Sequence, residues 1–290
     1  MADDNVLNTP GLMDPSTEFG DMMQHAMKIK GAQMEQDRKK FETWPSFFQN
    51  TMWMQGRALE LRELPVSTRL PEAVKLKEAG NAHFREKRFT PAIEQYEQAL
   101  GSFKYLKQLD PDWKKKGIRD ESIEVVDDMG DTDAEKAAVV DFRVSCYNNL
   151  AACFLGRASS GVAELGLTID GDYLLCKAAC DYALELRPGC AKALYRRARA
   201  RTEPLSAGAC ATDDAINDLN EAARHSPDDK AVRLLLNKMR RQRSEQKSKE
   251  SSTFSGLFGR GEIYDAKSLQ EQDARTQAEL KVHAEADKKR

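Results

Sequence analysis

Residues 75–84 read KLKEAGNAHF, and the chain continues as REKRFTPAIEQYEQAL through residue 100. The stretch has helical character, yet it places Gly80 in mid-helix. A glycine there costs about 1 kcal/mol relative to alanine, so close packing should justify it. Lys77 and Asn81 stand four residues apart and share one helix face. Thr90 followed by Pro91 predicts a new helix start, with Thr90 as cap. The apolar stripe of that second helix runs Ala92, Tyr96, Ala99, Leu100 and Phe103. Two amphipathic helices therefore follow one another across a short break.

The same order of small and large residues returns twice. Ala151 takes the place of Gly80 in a second copy, and Ala183 matches Ala99, with Pro188 closing the unit. In a third copy Ala198 and Ala222 are the matching pair, closed by Pro227. The spacings are 19, 32 and 24 positions, so the later copies carry insertions of 13 and 5 residues. The first insertion falls in a Ser/Gly loop expected at 157–170, the second in EPLSAGACATD. Asp131, Thr132 or Asp133 is expected to cap the long helix carrying Phe142, Val144, Tyr147, Leu150 and Phe154. Further helices are expected over about 172–187, 190–201, 213–225 and 229–249. Val232, Leu235, Leu236 and Met239 form the buried stripe of the last helix. No strand-like alternation stands out between 67 and 250, and residues 110–133 are expected to be an exposed, charged loop.

Over about residues 71–228 this pattern resembles the tetratricopeptide repeat, a helix–turn–helix unit of about 34 residues. The implied fold is all-α: three tetratricopeptide repeats plus a C-terminal capping helix, with partly disordered termini. One helix pair cannot bury its own apolar face, so stacked pairs share a core and their first helices line a groove. The first copy lacks a closing proline, so its second helix is expected to run on towards Asp110-Pro111. That extension and the basic final helix resemble the repeat domain of large immunophilins. Alanine at the two later crossing positions and Cys176 in place of a small alanine depart from the usual pattern.

The resemblance implies a site. Lys77, Asn81, Asn149, Lys192 and Arg196 occupy the positions of the dicarboxylate clamp of co-chaperone repeat domains. That family binds the C-terminal Glu-Glu-Val-Asp tails of the ninety- and seventy-kilodalton heat-shock chaperones. By the same resemblance, Lys77, Asn81, Asn149 and Lys192 hold the terminal carboxylate and the last Asp side chain, and Arg196 adds a peptide contact. The residue types suit the task, because Lys, Asn and Arg all offer hydrogen-bond donors to carboxylate oxygens. Phe84, on the first of these helices, is the candidate apolar contact for the valine.

Other features bound the alternatives. The 290 residues carry a formal net charge of −2, so no global field favours nucleic acid. No run approaches eighteen apolar residues. The opening MADDNVLNTP lacks the basic and apolar regions of a secretory signal. Together with six cysteines set mostly in apolar helical patterns, this makes a cytoplasmic protein with reduced thiols the expectation. Residues 1–66 are expected to be mostly disordered, with an aromatic amphipathic helix near 41–62. Trp44, Phe47, Phe48, Met52 and Trp53 there either dock on the repeats or anchor a membrane or partner. Residues 67–250 form the repeat domain and 251–290 a polar tail, in which FSGLFGRGEIYD is either a docking motif or folds back on the cap.

No catalytic constellation is present, and no cofactor or metal is expected. His25, His83, His225 and His283 are scattered, and Cys176 and Cys180 lack the further ligands zinc requires. The residues before 71 are too few and too polar for an isomerase domain, so no prolyl isomerase activity is expected. The basic stretch 233–249 is either a calmodulin target, as the immunophilin resemblance implies, or a solvated helix end. The expected role is that of a co-chaperone or adaptor with an unknown client. The alternative is a scaffold recruited to a membrane or organellar receptor through its aromatic segment.

Overall fold

A computed structural model describes residue 14, residues 16–161, residues 168–254 and residue 276. It divides into two units between Leu236 and Asn237.

In the first unit, three helix pairs stack in chain order. Helix α5 (Val66–Arg85) packs on α6 (Phe89–Gly101), α8 (Asp133–Ser160) on α9 (Ile169–Leu186), and α10 (Ala191–Thr202) on α11 (Ala209–His225). Consecutive pairs join through α6 with α8 and α9 with α10, and the first helices touch along α5, α8 and α10. This is the stacking expected of tetratricopeptide-type units, each burying the apolar face of its neighbour. Ala99, Ala151, Ala183, Ala198 and Ala222 are fully buried, so the small residues sit where helices cross closely.

The caps explain the boundaries. Thr132 is the residue that starts α8: its Oγ1 accepts from the Glu135 N–H at 3.2 Å while the Glu135 carboxylate returns to the Thr132 N–H, a capping box. Thr168 caps α9 through the Gly171 N–H. Helices α9 and α11 stop just before Pro188 and Pro227. Thr90 does not cap α6, which begins at Phe89 after Arg88. The Thr90 hydroxyl instead accepts from Arg157 on α8. The Ser/Gly insertion is also shorter as a loop than expected, because α8 continues to Ser160 and α9 already starts at Ile169. Residues 162–167 lie outside the described residues.

The largest departure follows the first pair. Helix α6 does not run on towards Asp110; it ends at Gly101. Arg62 Nε donates to the Gly101 carbonyl at 2.8 Å, and Met54 lies so close that a Cβ at residue 101 would sit 2.5 Å from its sulfur. The chain then enters strand β1 (Lys104–Gln108), which pairs antiparallel with β2 (Ile123–Asp127) in the register Leu106 opposite Val125. The stretch expected to be a charged loop is thus a hairpin, with the short α7 (Trp113–Lys116) in its connection. Two buried arginines pin it. Arg69 on α5 pairs with Asp128 at 2.7 Å, and Arg143 on α8 with Asp127 at 2.5 Å.

The segment before the repeats, expected to be mostly disordered, is largely helical from Glu18 onward. Helix α1 (Glu18–Asp37) is followed by α2 (Lys39–Thr43), α3 (Ser46–Gln49), a 3-10 turn over Asn50–Trp53, and α4 (Arg57–Arg62). A single amphipathic helix over 41–62 does not form, because Pro45 and the positive-φ Gly56 break it. Phe41, Phe47 and Phe48 are nonetheless buried. The Phe47 ring lies 5.7–6.4 Å from those of Tyr147, Phe154 and Tyr182, and Phe48 meets Tyr182 at 5.9 Å. The Asp120 carboxylate accepts from the Lys40 and Phe41 N–H groups, tying α2 to the hairpin.

Helix α12 (Lys230–Phe254) begins in the first unit, where Val232 and Leu236 are buried. In the second unit it carries Arg241–Glu245 and Arg243–Glu250 ion pairs along its own surface. The FSGLFGRGEIYD motif beyond Phe254 lies outside the described residues. All six cysteines are free thiols; Cys146, Cys153, Cys176 and Cys180 are buried, but Cys210 is exposed because it opens α11 on the surface.

Candidate functional site

Gly80 earns its place through Tyr96. A Cβ at residue 80 would stand 2.8 Å from Tyr96 Cε1 and 3.0 Å from Cζ, so only glycine admits the ring of α6 against α5. The buried ring carries its hydroxyl to the next residue, where it donates to Asn81 Oδ1 at 2.7 Å. Asn149 Nδ2, arriving from α8, donates to the same oxygen at 2.9 Å. Asn81 and Asn149 are thus joined side chain to side chain. Burial pushes the Tyr96 phenol above its ordinary range, so it remains protonated and a donor.

The third helix contributes Lys192 and Arg196. Arg196 Nη1 donates to Asn148 Oδ1 at 3.1 Å, and the Asn148 amide in turn donates to the Val144 carbonyl and touches Cys190 Sγ at 3.3 Å. Lys192 is exposed. Lys192, Arg196 and Phe84 line one cavity of about 400 Å³, together with Leu155, Tyr195 and Asp229. Its walls come from α5, α8 and α10, the first helices of all three pairs. Asp229 uses its carboxylate on the N–H groups of Ala231 and Val232 at the start of α12. Phe84 is 37% exposed, with its ring 5.9 Å from that of Phe89. Lys77, Asn81 and Asn149 stand outside the cavity lining, and Lys77 Nζ lies 5.9 Å from the centre of the Phe142 ring.

Most arginines of α8 and α10 are ion-paired. Arg157 is held by Asp172, Arg197 by Asp181 and Asp218, Arg199 by Glu203, and Arg201 by Asp218. Lys77, Lys192 and Arg196 have no acidic partner among the described residues. Two cations without an acidic partner on one cavity wall, Lys192 and Arg196, are suited to an anionic group. Sequence reasoning missed Tyr96 and Asn148. Tyr96 read as part of an apolar stripe and Asn148 carried no signal, and only their side-chain hydrogen bonds across helices reveal what they hold.

Among the described residues no group of three His, Cys, Asp or Glu could hold a metal ion, and no helix is long and apolar enough to cross a membrane. No protein-family description matches the chain. It is 24% identical over 200 residues to the peptidyl-prolyl cis-trans isomerase FKBP42 of Arabidopsis thaliana, covering 68% of this chain and 43% of the relative. The chain therefore spans less than half the length of that curated relative. Among solved structures it is similar to the C-terminal TPR-containing domain of a Plasmodium falciparum FK506-binding protein, with a TM-score of 0.45 and 18% identity, covering 65% of this chain and 99% of that one. It is also similar to the Arabidopsis OM64 TPR domain, with a TM-score of 0.38 and 17% identity, covering 59% and 97%. In its sequence and in the stacking of its helix pairs, the chain carries a tetratricopeptide-type domain that resembles those of immunophilins.

Proposed function

We propose that this chain is a cytoplasmic co-chaperone or adaptor that holds the acidic C-terminal Glu-Glu-Val-Asp tail of heat-shock chaperones across α5, α8 and α10. The observation that carries the reading is the absence of an acidic partner for Lys192 and Arg196, on a cavity whose other lining arginine, Arg199, is ion-paired with Glu203. In this reading Lys77, Asn81, Asn149 and Lys192 receive the terminal carboxylate and the last Asp side chain. Arg196 adds a contact, and Phe84 meets the valine. The role is binding rather than catalysis. Charge-assisted hydrogen bonds contribute roughly 1.5–3 kcal/mol each. Four or five of them, less the cost of ordering a flexible tail, leave a Kd on the order of micromolar.

The alternative, recruitment through the aromatic segment, has less support, because Phe41, Phe47 and Phe48 are already buried, the last two against rings of the repeats. The test is a fluorescence-anisotropy titration with a labelled peptide ending in Glu-Glu-Val-Asp, as free acid and as C-terminal amide. Lys192→Ala should weaken the free acid by roughly 10–100-fold, with unchanged helicity. Equal affinity for acid and amide, or for wild type and variant, would overturn the proposal.

A further inference from the structure

We infer that Tyr96 is a positioning residue: with Asn149 it locks the Asn81 side-chain amide so that both Nδ2 hydrogens face an incoming carboxylate. The inference rests on the reading of Asn81 as an anion contact and adds what makes it one. A carboxamide is ambivalent. Its oxygen accepts two hydrogen bonds and its nitrogen donates two, and the two ends have nearly the same shape. An asparagine free to turn would have to be ordered by the carboxylate itself, nitrogen towards it, because oxygen against oxygen repels.

Asn81 is not free to turn. Both lone pairs of Oδ1 are taken, by the Tyr96 hydroxyl at 2.7 Å and by Asn149 Nδ2 at 2.9 Å. Asn81 Nδ2 donates to no group among the described residues. Reversing the amide would set Nδ2 of Asn81 against Nδ2 of Asn149, donor against donor. It would also cost the hydroxyl its acceptor. A buried hydroxyl proton left without an acceptor costs about 1–3 kcal/mol, and Tyr96 is only 1% exposed. The lock depends on Gly80 as well, since a side chain there would displace the ring that carries the hydroxyl. Three helices, α5, α6 and α8, thus cooperate to make one neutral side chain donor-only.

The experiment uses the full chain and Tyr96→Phe, which keeps the ring over Gly80 and removes only the hydroxyl. Its first arm needs no ligand. In wild type, a through-hydrogen-bond NMR coupling should join Asn149 Nδ2 to Asn81 Cγ. A coupling in the reverse sense, from Asn81 Nδ2 to Asn149 Cγ, overturns the lock. The second arm titrates the labelled Glu-Glu-Val-Asp peptide. Tyr96→Phe should weaken it roughly 5–10-fold while the urea midpoint stays close to wild type. Lys192→Ala serves as the control for binding itself. Affinity within twofold of wild type overturns the inference. So does a loss matched by an equal loss for Tyr96→Trp and a general fall in the unfolding midpoint, since that is the mark of a merely structural residue. Should wild type bind no acidic peptide while the expected coupling is present, the lock stands and the carboxylate reading of the site falls.

Discussion

The docking of the segment before the repeats is open to a single decisive substitution, Phe47→Ala. Phe47 is 3% exposed and meets three aromatic rings, from Tyr147 and Phe154 on α8 and Tyr182 on α9. Burying such a side chain contributes about 1.5–3 kcal/mol from apolar area alone. The rigid helices around it cannot collapse into the void, so a cavity term adds to this. Truncation should cost about 3–4 kcal/mol, within the range for buried phenylalanine. With a urea m-value of about 2–3 kcal/mol/M, the midpoint should fall by roughly 1–2 M. Equilibrium urea unfolding followed by tryptophan fluorescence and far-UV circular dichroism makes the measurement. The two signals should move together, because α3 and the repeats unfold as one. A loss below about 1 kcal/mol, or a separate early fluorescence transition, would refute the claim that residues 39–62 belong to the repeat core. Wild-type protein should also fail to co-sediment with liposomes, while Phe47→Ala exposes the pocket without creating a membrane anchor.

Two further predictions follow from buried charge. Arg157 and Asp172 form a two-pronged pair, both nearly inaccessible, at 2.6 and 2.9 Å. Asp172→Ala should therefore destabilise by about 3–5 kcal/mol, and the double variant Arg157→Leu/Asp172→Leu should recover most of it; thermal or urea melts decide. Glu97 takes an Asn50 amide at 3.1 Å, and burial pushes its carboxyl up to about 7. Its folded pKa lies above the unfolded value, so the native state binds the extra proton. Stability should fall as pH rises from about 4.5 to about 7. The side chain is only partly covered, so Glu97→Gln should raise stability by about 1–2 kcal/mol at pH 8. Near pH 4 it should change little, and urea midpoints at the two pH values test the difference.

The helix pairs were legible because their signals are local. Pro188, Pro227 and the small residues at 80, 99, 151, 183, 198 and 222 punctuate stripes of period 3.6. The hairpin was not legible in the same way. In Phe103-Lys-Tyr-Leu-Lys-Gln-Leu109 the buried residues Phe103 and Leu106 are three apart, a helical spacing, and its partner strand lies across a 14-residue connection. The β-branched Ile123, Val125 and Val126 were the available hint. Pro45 and Gly56 announced the breaks in the aromatic segment, but its docking partners lie some hundred residues on. At the site, the resemblance to co-chaperone repeat domains pointed to Lys192 and Arg196, and Phe84 followed as an apolar residue on the first helix; one cavity brings these three together. The resemblance said nothing of Tyr96 or Asn148, whose hydrogen bonds exist only once helices from different repeats meet.

A repeat array ordinarily can fold from either end, each unit needing only its neighbour. Here that freedom is curtailed. Phe47 closes on Tyr182, 135 positions later, and α2 leans on Asp120. At a synthesis rate of about 5–20 residues per second, Phe47 leaves the ribosome roughly 7–27 s before Tyr182 does. For that interval Phe41, Phe47 and Phe48 form a greasy leader with nothing to cover it. A nascent chain in this state should be bound by holding factors, and Phe41, Phe47 and Phe48 are the side chains they would grip.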